Sequence, residues 1–176
     1  MPKFYLYVVV EKCAIMTDAY LTKLQQGTFG YFLHETNPAS GLTPDNTREE
    51  APATITAVGL GLAAYTVGVE RGFLTRDEAI RRTLTTLRFF WNSPQGDGSD
   101  ATGYQGFYYH FLDMDSGRRT WNSELSTIDS TYLLAGALAA AAYFSRDTRP
   151  GRRALPLRQL AVGAQRRAGR FTRVEA

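Results

Sequence analysis

The strongest fold signal in the chain is the stretch Ser126–Phe144, which reads STIDSTYLLAGALAAAAYF. Its apolar residues occupy every side of a helical wheel, which predicts a helix that is buried all round. Ser126 and Asp129 have the spacing of a capping box, so we expect Ser126 to be the N-cap of this helix. The most apolar part, residues 132–144, is shorter than the roughly 20 residues that span a membrane. We therefore predict no transmembrane segment.

Three further helices are predicted before this one, and their character alternates. The first, at about Thr17–Glu35, is apolar on one face, whereas the second, at about Pro52–Arg71, is apolar nearly all round. The third, at about Thr75–Trp91, is amphipathic and begins with a capping box from Thr75 to Glu78. Alternating outer and inner helices are typical of an α/α toroid, although a bundle with a buried central helix gives the same pattern. The pattern alone favours the bundle.

A segment of more than 30 residues, 92–125, separates the third and fourth helices. It is too long to be a simple connecting loop in a compact domain. Within it, Phe107–Asp113 reads as a strand, Met114–Gly117 as a turn and Arg118–Asn122 as the returning strand. We expect one β-hairpin over one end of the helices. It lies beside the loop around Asp45 if both loops emerge at that end.

Composition and charge restrict the classes of function. The chain has 176 residues, 44% of them apolar and 21% charged, which is ordinary for one globular domain. Its one cysteine, Cys13, excludes an internal disulfide and a cysteine-built zinc site. With two histidines as well, we expect no metal site and no cofactor. The first 145 residues hold 11 basic and 15 acidic side chains, which argues against a nucleic-acid partner.

Residues 1–16 are predicted to be a leader ahead of the first helix. The apolar run Phe4–Val10 is cut off by Glu11 and Lys12, and no small-residue cleavage site follows it. We expect a strand or a disordered leader here rather than a signal peptide. This makes the protein cytoplasmic by default, and periplasmic or secreted if the true N-terminus is missing.

The segment 92–125 also carries side chains that suit sugar chemistry. Flat aromatic rings with polar edges fit sugar rings, and Tyr109 and Trp121 are the candidates to face a ligand. Glu124 precedes an apolar helix, where burial would raise its pKa. A protonated carboxyl beside an ionised one is what cleavage of a glycosidic bond requires. Asp129 is the second candidate, although its capping role explains it equally well.

Several long motifs occur in a fixed order along the chain. The most specific is WNSELSTID at 121–129, which is followed by LLAG at 133–136. The others are residues 29–32 with NPASGLTPD at 37–45, VERGFLTRDEA at 69–79, TLTTLRFFWN at 83–92 and GFYYHFLD at 106–113. Over about residues 17–145 the chain resembles the bacterial glycoamylase-like family. That family includes endo-β-1,2-glucanases and the glycoamylase-type domain of cyclic β-1,2-glucan synthases.

The resemblance implies an all-α fold: the first helical hairpins of an incomplete (α/α)6 toroid, with one β-hairpin in the loop 92–125. It implies action on β-1,2-linked glucans by hydrolysis or transglycosylation, with Glu124 and Asp129 as catalytic carboxyls. The substrate-binding residues that it implies are Asp45, Tyr109, His110, Asp113 and Trp121. The alternative function is a non-catalytic carbohydrate-binding or helical interaction module.

The chain departs from the family pattern at a few positions and at its end. Ser123 stands where the family usually has cysteine, and Gly27 and Gly30 stand where it commonly has arginine. The resemblance stops near Phe144, whereas family members continue with further hairpins and a later Tyr-Asn-Glu motif. Residues 146–176 instead hold nine arginines and two acidic residues. We expect a shifted reading frame, a truncated gene or a disordered tail, and a polyanion-binding arm is the alternative.

Two expectations follow for the chain as written. Without the later motif, the site lacks part of its surroundings, so the chain should be inactive. Without neighbouring hairpins, the second and fourth helices should each expose an apolar flank and promote self-association. The residues expected in these flanks, in some combination, are Val58, Leu62, Leu134 and Leu138.

Overall fold

The structure is a computed structural model that describes residues 4–144, with side chains from Thr17 onward. The predictions about residues 146–176 lie outside the described residues. Four helices and five short strands occur in the described range. The chain divides after His34 into two compact units, which are described separately.

The first unit contains one helix, α1, which spans Phe4–His34. The prediction of a strand or a disordered leader over Phe4–Val10 is therefore wrong. No glycine or proline interrupts residues 4–26, so a helix that has formed further along gains one hydrogen bond for each residue added towards Phe4. Leu21 and Leu24, which belong to the predicted apolar face, are 54% and 51% exposed.

The second unit contains three helices close to their predicted positions: α2 (Ile55–Glu70), α3 (Arg76–Asn92) and α4 (Thr127–Phe144). The predicted cap of α3 is present, because the Thr75 hydroxyl accepts the Glu78 N–H at 3.3 Å. The amphipathic character of α3 is also confirmed. Its buried face includes Ile80, Leu84, Leu87 and Phe90.

Helices α2 and α4 pack against each other at two glycines. A Cβ added to Gly136 would lie 2.0 Å from the Gly59 carbonyl oxygen, and one added to Gly59 would lie 2.4 Å from the Tyr132 carbonyl oxygen. The two backbones are therefore in direct contact, an approach that only residues without a Cβ allow. Val58 and Leu62, which lie near this contact in α2, are almost fully buried, at 1% exposure each.

Both helices expose an apolar flank on the side away from their contact. The composition of α2 and α4 predicted burial on every side, and neither helix is buried in that way. Leu138 is exposed as expected, whereas Val58 and Leu62 are buried because they lie on the packed side. The large apolar side chains that are exposed are Leu60 and Val67 on α2, and Ile128, Tyr132 and Leu138 on α4. Among the helices of the described range, none is long and apolar enough to cross a membrane.

Two small antiparallel sheets lie where α2 and α4 begin. In the first, β1 (Ala53–Thr54) pairs with β4 (Phe111–Leu112). The second has the order β2-β3-β5 and consists of Gly103–Tyr104, Phe107–Tyr109 and Leu125–Ser126. Because β1 leads directly into α2 and β5 into α4, the sheets fix how the two helices start.

The predicted hairpin forms only at its tip. Gly117 donates its N–H to the Asp113 carbonyl at 2.9 Å, and Leu112 pairs with Arg119 in a single bridge. The first predicted strand is split into β3 and β4, which belong to different sheets. The returning strand is absent over 118–122, and at its end Trp121 and Asn122 have φ values of 54° and 51°, which are incompatible with an extended strand.

Candidate functional site

His110 lies at the junction of the two sheets, between β3 and β4. Its carbonyl accepts the N–H of Ile55, the first residue of α2, at 3.3 Å. Its own N–H donates to the Glu124 carbonyl at 3.0 Å. These two bonds bring the start of α2 and the residue before β5 to the same imidazole.

The side chains of His110, Glu124 and Asp129 form one cluster. Nδ1 of His110 lies 2.8 Å from Oε1 of Glu124, and Nε2 lies 3.6 Å from Oδ2 of Asp129. The imidazole also stacks on the Phe111 ring, with centroids 3.9 Å apart and planes 16° from parallel. An ionised carboxylate can only accept, so the nitrogen that faces Glu124 carries the proton. The fold thus brings together both predicted carboxyls and one predicted substrate contact.

Asp129 is held by hydroxyls from the starts of two helices. Thr56, in the first turn of α2, donates to Oδ1, and Ser126 donates to Oδ2 at 2.5 Å. Ser126 Oγ also accepts the Asp129 N–H at 3.2 Å, which confirms the predicted cap of α4. Burial raises the pKa of Asp129, but the hydrogen bonds from Ser126 and Thr56 and the nearby His110 outweigh it, and the pKa is lowered. The positive ends of the α2 and α4 dipoles favour the same ionised form.

Substitution of Asp129 by asparagine is expected to lower the free energy of unfolding by about 2 kcal/mol at pH 7. The reason is that an amide offers one acceptor oxygen to two hydroxyl donors and lacks the charge that strengthens both bonds. Because the pKa of Asp129 is lowered on folding, its contribution is complete above the unfolded pKa and is lost as the pH falls through the folded pKa. The difference in free energy of unfolding between wild type and variant, measured by urea unfolding, should therefore narrow as the pH falls from about 5 to about 2. A gap that stays constant over this range would contradict the prediction.

Glu124 is an exposed carboxylate, with 65% of its side chain accessible. Its own backbone N–H and the His110 side chain lower its pKa. The prediction that burial raises the pKa of Glu124 is therefore wrong for this chain. The apolar helix begins only at Thr127, and the short strand β5 separates Glu124 from it.

The three side chains also have the composition of a cation site. Each offers one ligand atom, and these atoms lie within 4.8 Å of one another. A histidine nitrogen with two carboxylate oxygens suits several divalent transition metals. Here, however, the Asp129 oxygens accept hydroxyl protons and the imidazole donates to Glu124, so the cluster is satisfied by hydrogen bonds.

Trp121 presents an aromatic ring beside the cluster. Its side chain is 70% exposed, and its ring centroid lies 5.3 Å from that of Phe111, the ring that stacks on His110. Trp121 and Asn122 both have a left-handed backbone, which is an outlier for a bulky residue. Strained backbone of this kind persists where the surroundings enforce it, and it is concentrated at functional sites.

The remaining predicted contacts lie around this cluster rather than in it. Tyr109 is 4% exposed and donates its hydroxyl to the Gly96 carbonyl at 3.0 Å, so its ring is not accessible to a ligand here. Asp113 accepts the N–H and the hydroxyl of Ser116 at 2.8 and 2.6 Å, which lowers its pKa. Asp45 is exposed, and its N–H donates to the Pro52 carbonyl at 2.8 Å just before β1. The Asp45 loop and the hairpin thus emerge at the same end of the unit.

Two residues that support the site were not predicted. Thr56 contacts Asp129 across 73 positions of sequence, and no motif links the two. Arg119 binds the turn that carries Trp121, and its only sequence signal is its place just before the WNSELSTID motif.

Comparison with known proteins shows relatives of one kind, although no family model matches the chain. The exo β-1,2-glucooligosaccharide sophorohydrolase of Parabacteroides distasonis is 30% identical over 140 residues, which are 75% of this chain and 18% of that protein. A glucoamylase-like protein from Bacteroides uniformis is 30% identical, with a TM-score of 0.71 over 90% of this chain and 38% of its own. The endo-β-1,2-glucanase from Chitinophaga pinensis, solved with sophorotriose and glucose, is 20% identical with a TM-score of 0.66, which shows the fold alone.

The chain spans only part of each relative, from 18% of the sophorohydrolase to 38% of the Bacteroides uniformis protein. Within that part, the fold of four helices with a few short strands is shared with the solved structures. Over this segment the chain is similar to glucoamylase-like proteins and β-1,2-glucanases, as its motifs predicted.

Proposed function

We propose that this chain is part of a glycoside hydrolase domain that acts on β-1,2-linked glucans by hydrolysis or transglycosylation. The observation that carries the proposal is the surface where α2 and α4 begin. There an exposed carboxylate, Glu124, and an exposed aromatic ring, Trp121, flank an imidazole that is hydrogen-bonded to the carboxylate. The names of the relatives, a sophorohydrolase and a glucanase, support the substrate class.

In this proposal each residue of the surface has its own task. Trp121 stacks against the apolar face of a sugar ring. Glu124 meets the substrate, where a carboxylate stabilises the positive charge of an oxocarbenium-like transition state or exchanges a proton with it. Asp129 and His110 form the support of Glu124. Asp45 and Asp113 are proposed as further contacts at the rim, and Tyr109 is left out because it is buried.

Glu124 and Asp129 do not form an inverting pair with each other. Their nearest oxygens lie within 4.8 Å, and an imidazole lies between them. An inverting enzyme needs roughly 6.5–9.5 Å between its carboxyl groups so that a water molecule fits. If the reaction inverts, we infer that the partner carboxyl of Glu124 is a residue other than Asp129.

We further propose that the described segment is the first part of an (α/α)6 toroid with α2 and α4 as inner helices. Their exposed apolar flanks, which include Leu60 and Tyr132, support this because further hairpins would cover them. The segment covers 38% and 35% of two solved relatives, as expected for an incomplete ring. The chain alone is then inactive and self-associates through these flanks.

Sugar binding by the chain itself tests the substrate class. In ¹⁵N spectra, sophorotriose should shift the indole N–H signal of Trp121, whereas β-1,3- and β-1,4-linked glucotrioses should shift it much less. Trp91, on α3, is the internal control, and its indole signal should not move. Substitution of Trp121 by alanine should abolish binding. Equal shifts with all three sugars, or no shift with any, would contradict the proposed substrate class.

Reducing-sugar release tests the expected inactivity of the chain alone. We expect no release from β-1,2-glucan above that of the Glu124→Gln variant. Release that depends on Glu124 would show that the chain alone already holds a complete catalytic set.

A further inference from the structure

We propose that Arg119 is a positioning residue that holds Trp121 and Glu124 on one surface, an inference that rests on the proposed function. The side chain of Arg119 reaches across the turn that follows it. Its Nε donates to the Ser123 carbonyl at 2.6 Å, and its Nη2 donates to the Asn122 carbonyl at 2.9 Å. Both bonds are charge-assisted, and the flat guanidinium presents its two donors in a fixed fork.

The turn that Arg119 binds needs such support. Trp121 and Asn122 are consecutive non-glycine residues in the left-handed region, with φ values of 54° and 51°, and each costs free energy relative to ordinary backbone. Burial of Trp121 offsets little of this cost, because its side chain is 70% exposed. The two bonds from Arg119 act on the carbonyls of Asn122 and Ser123 and so fix the two peptide groups that directly follow Asn122.

Arg119 is itself fixed from the interior. Its N–H donates to the Ala101 carbonyl at 2.9 Å, and its guanidinium lies 4.4 Å from the centre of the Tyr109 ring. Tyr109 is buried and is tied to the Gly96 carbonyl through its hydroxyl. Lysine cannot replace this side chain, because it lacks a planar group that stacks on a ring while it donates two hydrogen bonds in a fixed fork. This arrangement gives Tyr109 a task as well, as the platform under Arg119.

The held turn sets the position of the two proposed sugar contacts. Trp121 precedes the bound carbonyls and rests against Phe111, and Glu124 follows them directly and bonds to His110. A turn free to relax to ordinary backbone would move the indole relative to the carboxylate. Arg119 therefore acts through Trp121 and Glu124 and has no contact with the sugar in this proposal.

The test compares Arg119→Lys with Arg118→Lys, its exposed sequence neighbour, in the intact chain. We expect Arg119→Lys to weaken sophorotriose binding about tenfold, since it removes a charge-assisted pair of bonds. Arg118→Lys should change the affinity less than twofold. Adding Asn122→Gly to Arg119→Lys should restore part of the affinity, because glycine adopts the left-handed backbone without strain. Wild-type affinity in Arg119→Lys, or no recovery with Asn122→Gly, would overturn the proposal.

A second readout needs no sugar and separates this inference from the proposed function. In a Trp91→Phe background the tryptophan fluorescence comes from Trp121 alone. Arg119→Lys should lower its anisotropy and increase its quenching by iodide, whereas Arg118→Lys should change neither. If wild type binds no glucan but these changes occur, the proposed function fails and the positioning role stands. Unchanged anisotropy and quenching would overturn the positioning role whatever the sugar result.

Discussion

Substitution of Glu124 by glutamine is expected to reduce the release of reducing sugar from β-1,2-glucan by about 10²–10⁴-fold, the range typical of a lost acid–base group. The measurement uses residues 35–144 fused to the remaining part of the Bacteroides uniformis relative, because the chain alone is proposed to be inactive. Glutamine keeps the size of the side chain and can still accept from His110, so the loss would reflect the missing carboxyl group rather than an altered turn.

Glu49 supplies the matched control, since it is an exposed glutamate in the loop before β1. Glu49→Gln should leave the rate of the fused protein unchanged. If Glu124→Gln retains full activity, Glu124 is not the carboxyl that meets the reacting bond. If the fused wild-type protein binds glucan without cleaving it, the non-catalytic carbohydrate-binding module is the better description.

Substitution of Gly136 by alanine is expected to destabilise the second unit by about 3 kcal/mol or more. The new methyl carbon would lie 2.0 Å from the Gly59 carbonyl oxygen and 2.7 Å from the Gly59 carbonyl carbon, and neither backbone atom can move without separating the helices. Urea unfolding followed by circular dichroism measures the change. The same substitution should weaken glucan binding, because the start of α2 supplies Thr56 to the site.

Gly27→Ala is the control for this substitution, since it adds the same methyl group to another helical glycine. Among the described residues, no atom outside the adjacent helix backbone lies within 4 Å of the added carbon, so we expect α1 to gain about 1 kcal/mol from the better helix propensity of alanine. A Gly136→Ala protein that unfolds within 1 kcal/mol of wild type would show that α2 and α4 can separate at little cost.

The helices of the second unit could be predicted because their signals are local. The cap residues Thr75 and Ser126 lie three positions before their partners, and both caps are present in the structure. The strand pairs could not be predicted in the same way. Tyr109 pairs with Leu125 and Thr54 with Phe111, and such register depends on how distant segments pack. Residues 107–113 read as one strand in the sequence, but packing places Phe107–Tyr109 and Phe111–Leu112 in different sheets.

The candidate site, too, has a part that could be predicted from the sequence and a part that depends on how distant segments pack. The motif resemblance named His110, Glu124 and Asp129, and the fold brings these three together. The surroundings of Glu124 were predicted incorrectly, because a neighbouring apolar helix in sequence says little about exposure in space. The role of Thr56 could not be predicted from the sequence for a further reason. Its distance to Asp129 is set by the crossing of α2 and α4, which sequence periodicity does not specify.

The glycine crossing has a consequence for how this segment can change during evolution. Gly59 lies one turn after Thr56 in α2, and Gly136 lies two turns after Asp129 in α4. A larger residue at either glycine would push the helices apart and draw the Thr56 hydroxyl away from Asp129. Positions 56, 59, 129 and 136 should therefore be inherited as a set among relatives. Where one glycine is replaced, we expect the hydroxyl at position 56 or the carboxylate at position 129 to be replaced with it.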